Sequence, residues 1–146
     1  MSQFAISTNV YWGQDRYEKL SVFLRSLEIK RVIFIVDRGV AHTDSVTKIC
    51  SFFEDSGYQL LETCIPNVIG EPSYDDLDIL ADEVKLHNPD MIVGIGGGTV
   101  LDLAKGVSVL MHNTGKGIDY RGMNKVLNAP VPFEGLAIDN DTNKVT

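Results

Sequence analysis

The segment MIVGIGGGTVLDLAKG, Met91 to Gly106, restricts the fold of this chain more than any other. A β-branched apolar run ends at Ile95, three glycines follow at Gly96, Gly97 and Gly98, and a helical pattern opens with Thr99. Leu103, Val107, Leu110 and Met111 recur at helical spacing and predict the buried stripe of that helix. A strand that turns directly into a helix leaves the first helical N–H groups without partners, and the helix dipole adds partial positive charge to them. Glycines at such a junction let a phosphate approach the backbone. They equally serve a tight turn or close helix–strand packing, since the string is neither G-x-G-x-x-G nor G-x-x-x-x-G-K-[ST]. Thr99 can cap the helix or offer its hydroxyl to a ligand.

The rest of the chain alternates strand-like and helix-like patterns. RVIFIV (Arg31 to Val36) and MIVGI (Met91 to Ile95) are short apolar runs typical of strands buried on both faces, and YQLLETC (Tyr58 to Cys64) is a more polar third. Between and before them, Tyr17, Leu20, Leu24 and Leu27, then Val46, Ile49, Cys50 and Phe53, then Leu77, Leu80, Ala81 and Val84 recur at helical spacing. Gly57 stands where a left-handed C′ residue is wanted, Ser73 and Asp76 form a capping pattern after Pro72, and Asn88-Pro89 stops the third pattern. This order predicts an α/β fold: a Rossmann-like open, mostly parallel sheet with helices on both faces. Such sheets bind ligands beyond the carboxyl ends of their strands, where the glycine run lies.

The chain has 146 residues, enough for one domain with a single core. A net charge of −7 with no basic run disfavours nucleic acid and anionic lipid as partners. No apolar run approaches the roughly 20 residues of a membrane helix and the start MSQFAISTNV lacks a leader pattern, so a cytoplasmic protein with no membrane partner is expected. Two cysteines, Cys50 and Cys64, make no disulfide framework. His42, His87 and His112 show no H-x-x-x-H spacing, so no metal site is expected from them.

GGGTVLDLAKG resembles the GGGSxxDxAK motif of the iron-containing (group III) alcohol dehydrogenases, which share a fold with glycerol dehydrogenase and dehydroquinate synthase. The resemblance extends from Val10 to Pro132: VYWGQDRYEKLSVFL is similar to the family's opening strand and helix, KRVIFIVDRGV to its second strand, and DYRGMNKV…APVP to the approach to its interdomain region. It implies that Gly96, Gly97, Gly98 and Thr99 hold the pyrophosphate of NAD(P), with Thr99 where serine is commoner. Asp102 would then be the motif carboxylate near the nicotinamide side; read by itself it is an acid solvating the first helical turn. Lys105 is given no catalytic role. Asp37 resembles the acid that contacts the adenosine ribose and, by repelling a 2′-phosphate, favours NAD over NADP; its other reading is an acid starting the turn DRG, with Arg38 softening the repulsion. Glu71 falls where many members carry Asn in a PNPT motif.

Residues 1–132 are therefore expected to form an NAD(P)-binding domain and residues 133–146 a divergent or truncated tail, since FEGLAIDNDTNKVT lacks the family's threonine- and glycine-rich loop. The family's iron or zinc is held by an Asp and His residues of a second, helical domain, expected to be absent from this chain. The resemblance implies an NAD(P)-dependent dehydrogenase acting on a small alcohol or aldehyde. A non-catalytic nucleotide-binding or docking module is the alternative, and a dehydroquinate-synthase-like cyclase a third reading. A face that once met a second domain would encourage homo-oligomers.

Overall fold

The computed structural model describes residues 28–113, 115–120 and 131–137. The expected opening strand and the helical pattern Tyr17 to Leu27 lie outside these residues, as do 121–130 and the tail from 138.

Four strands form the sheet: β1 (Arg31–Val36), β2 (Gln59–Cys64), β3 (Met91–Gly96) and β4 (Phe133–Ala137). Their order is β2-β1-β3-β4 and all three pairings are parallel. Parallel neighbours require crossovers, supplied by the helices α1 (Asp44–Asp55), α2 (Tyr74–Lys85) and α3 (Gly98–Leu110). The apolar runs of β1 and β3 are buried on both faces because helices cover both sides. On one side Val46, Ile49 and Phe53 of α1 pack over Phe34, Val36, Val93 and Ile95, with the Phe34 and Phe53 rings edge to face at 5.3 Å. On the other, Leu77, Leu80, Ala81 and Val84 of α2 and Leu103, Val107 and Leu110 of α3 cover Ile33, Ile35 and Ile92. In α1, α2 and α3 the expected stripes face the core, with Cys50 and Met111 of those stripes only half-buried.

Local signals end the elements where expected. Ser73 caps α2 in a reciprocal box with Asp76, whose N–H donates to the Ser73 hydroxyl at 3.1 Å while Ser73 N–H donates to the Asp76 carboxylate at 2.8 Å. Gly57 follows α1 at φ 93°, and Asn88 follows α2 at φ 46°. At the amino edge, Asp90 Oδ2 accepts the backbone N–H groups of Lys30 (3.0 Å) and Arg31 (2.9 Å), tying the start of β1 to the start of β3.

The expected domain boundary at residue 132 falls just ahead of β4. Phe133 to Ala137 pair with Ile92 to Gly96 and lengthen the sheet, so this part of the tail belongs to the core layer.

The chain direction sets the functional edge. From β1 it moves outward to β2; from β2 it crosses back over β1 to β3, then outward the opposite way to β4. The order therefore reverses between β1 and β3, and a crevice opens at their carboxyl ends.

Candidate dinucleotide site

Asp37 follows β1 at that crevice. Its N–H donates to Ile95 O at 2.9 Å, which carries the β1–β3 ladder one residue past the strand. Its carboxylate Oδ1 accepts the Gly39 N–H at 2.9 Å, and its carbonyl accepts the Val40 N–H at 3.1 Å. The result is an Asx turn that holds an acid at the strand end.

Gly96 ends β3 with φ +148°, and a Cβ built on it would lie 2.6 Å from the Asp37 Cβ. Close packing therefore accounts for this glycine. It does not account for the next two. Gly97 and Gly98 are exposed, and a Cβ on either would meet no described atom within 4 Å. Gly97 is the N-cap of α3, with extended backbone and no side-chain cap, and the first helical bond runs from Leu101 N–H to Gly97 O at 3.1 Å. The N–H groups of Gly98, Thr99 and Val100 precede that bond, so they meet no acceptor within the helix and lie at its positive end.

A cleft of about 320 Å³ opens beside this helix start. Asp37 and Arg38 line one side, the loop Pro66 to Gly70 after β2 another, and Thr99 and Val100 a third. The Thr99 hydroxyl donates to Gly70 O at 3.2 Å and joins the loop to the helix. Asp37 and Thr99 thus share one cleft, Gly96 abuts Asp37, and Gly97 and Gly98 leave the helix start bare. Asp102 is exposed on α3, outside the cleft lining, and Glu71 is exposed just beyond the loop. The spacing of residues did not point to Asn67, Val68 or Ile69 as lining residues. The signal available was positional: a Pro66-to-Gly70 loop leaving the carboxyl end of a parallel strand.

Reactive side chains among the described residues are few. Burial pushes the Cys64 thiol up to about 12, helped by the nearby Glu83, its hydrogen bond with that residue, and Glu62. Cys50 is raised by burial and then by Glu54, so neither thiol is a ready thiolate at neutral pH. His87 Nε2 lies 3.1 Å from Glu62 Oε2. Among the described residues no three His, Cys, Asp or Glu side chains gather as a metal site, and no helix is long and apolar enough to cross a membrane.

A family model described as iron-containing alcohol dehydrogenase matches residues 7–135. Alcohol dehydrogenase 4 of Saccharomyces cerevisiae (strain YJM789) is 24% identical over 132 residues, 89% of this chain and 34% of that protein. NAD-dependent methanol dehydrogenase of Bacillus methanolicus is 23% identical over 146 residues, 100% of this chain and 38% of that protein. The crystal structure of 1,3-propanediol oxidoreductase aligns with a TM-score of 0.77 at 17% identity, over 99% of this chain and 42% of that one, a likeness of fold. The chain spans roughly a third of the length of the curated relatives it matches.

Proposed function

Because the chain belongs to the iron-containing alcohol dehydrogenase family, we propose that it is the dinucleotide-binding part of an NAD(P)-dependent enzyme that interconverts a small alcohol and its aldehyde. One observation carries this reading: the start of α3 is bare at the crevice where the strand order reverses, with Asp37 fixed across from it. The space a Cβ would fill at Gly97 and Gly98 suits a diphosphate, and the N–H groups of the helix start suit its oxygens. Asp37 has a carboxylate oxygen left, beyond the one bound to Gly39, to accept a ribose hydroxyl, and this favours NAD over NADP. Thr99 fixes the Pro66–Gly70 loop that walls the cleft and so shapes the pocket for the nucleoside end. Asp102, one turn into α3, is assigned to the side facing the nicotinamide.

When bound, the nicotinamide ring supplies the hydride chemistry, and this domain contributes position and electrostatics. Among the described residues no three His, Cys, Asp or Glu side chains gather as a set that could hold the metal of such enzymes. The two free cysteines, Cys50 and Cys64, fit a reducing cytoplasm; self-association of the chain is proposed with it, and light scattering tests that. Calorimetric titration of the chain with NAD+ tests the proposal. Binding that disappears in Gly97→Asp supports it; equal affinity in both proteins removes it.

A further inference from the structure

We propose that the outward face of α2 is a docking surface for a basic amphipathic helix of another protein. Five large apolar side chains stand exposed among the described residues, and three belong to this corner: Ile79 at 69%, Leu86 at 85% and Ile118 at 51%. Ile79 and Leu86 lie about two helical turns apart and so form one stripe, turned away from the core stripe of Leu77, Leu80, Ala81 and Val84. Ile118 comes from the turn Gly117–Tyr120, which is seated directly against α2. Gly117 N–H donates to Asp78 Oδ1 at 2.7 Å, and a Cβ at Gly117 would lie 2.7 Å from Leu77 Cδ2. The turn thus adds a third aliphatic group beside the helix.

Charge decides what fits there. The neighbours of Ile79 three and four positions away along α2 are Asp75, Asp76, Asp82 and Glu83, and the last two precede Leu86 by the same intervals. Every helical neighbour of Ile79 on this face is therefore acidic. Asp76 is engaged by Ser73 and Glu83 by the Cys64 thiol, while Asp75 and Asp82 stand exposed. Lys85, the one cation of α2, is turned about 120° round the helix from Ile79, and His87 beyond it faces Glu62 at 3.1 Å. A second copy of this chain would bring the same carboxylates face to face, and an anionic membrane would meet them too, so charge opposes both. A helix with aliphatic residues at heptad spacing and lysine or arginine beside them covers the stripe and answers the carboxylates together. This part of α2 leads to the amino edge of β3, at the far pole from the glycine run, so docking leaves the cleft open and stands apart from the dinucleotide reading.

The probe is a dye-labelled synthetic helical peptide with leucines at heptad spacing and lysines beside them, titrated with the intact chain and read by fluorescence anisotropy. A scrambled peptide of the same composition is the control, and comparing the two on wild-type protein needs no variant. The amphipathic peptide should bind at least about tenfold more tightly, the worth of burying one aliphatic side chain. Ile79→Ser with Leu86→Ser should abolish that difference, and Asp75→Asn with Asp82→Asn should weaken both binding and its dependence on salt. Thermal melts check that these variants, all at exposed positions, remain folded. Equal binding of the two peptides by wild type, or unchanged binding by the folded serine pair, overturns the proposal. So does self-association, measured by light scattering, that the serine pair abolishes, because the occupant would then be a second copy.

Discussion

Asp37 and Gly96 end neighbouring parallel strands in such close contact that a Cβ on Gly96 would lie 2.6 Å from the Asp37 Cβ. The glycine is also held at φ +148°, a conformation that L side chains rarely adopt. Gly96→Ala should therefore lower stability by about 1–3 kcal/mol and push Asp37 from its place. Urea unfolding measures the first effect and NAD+ titration the second; a variant as stable as wild type would contradict the contact.

Gly97→Asp should behave in the opposite way. Its site is open, with φ −89° and ψ −173°, the extended backbone of an N-cap residue. An aspartate there can cap the free N–H groups of α3, so stability should hold or rise by about 0.3 kcal/mol. The same carboxylate occupies the proposed diphosphate position, and NAD+ binding should be lost. Thermal melts beside calorimetry separate the outcomes, and a destabilised variant would mean that the corner is filled.

Cys64 should give the fold an alkaline limit. Its thiol is raised from 9.0 to about 12, chiefly by burial, so the folded state holds a proton that the unfolded chain releases earlier. The contribution is complete below pH 9 and is lost as pH climbs toward 12. Cys64→Ala should show a shallower fall in stability over that window than wild type. Parallel slopes in alkaline urea titrations would refute it.

Glu134 gives a related prediction on the carboxylate side. Half-buried on β4, its carboxyl is raised by loss of solvation, so the fold prefers it neutral. Stability from this group is present in acid and declines as pH rises through its folded value. Glu134→Gln should be more stable than wild type at neutral pH, with the advantage shrinking in acid. An advantage independent of pH would assign the effect to something other than ionisation.

Much of this architecture could be read from particular residues. The run Arg31–Val36 coincides with β1, and Leu77, Leu80, Ala81 and Val84 are buried as their spacing requires, because periodicity reports directly on which face meets the core. β4 was harder to read. Glu134 and Gly135 interrupt its apolar pattern, and the strand exists because the buried edge of β3 supplies partners from Ile92 to Gly96. The three glycines divide in a way no string reveals: Gly96 answers to Asp37, 59 residues away in sequence, whereas Gly97 and Gly98 answer to empty space. The Pro66–Gly70 wall has no period and no charge, so only the topology brings it to the cleft.

Asp90 grips Lys30 and Arg31 at the far ends of the strands that lead to Asp37 and Gly96. Holding and recognising are thus assigned to opposite poles of the same two ribbons. A scaffold organised in this way tolerates transplantation: the loop from Pro66 to Gly70 can be exchanged for one of another composition, and the nucleotide preference retuned, without loosening the fastening that keeps the ribbons in step.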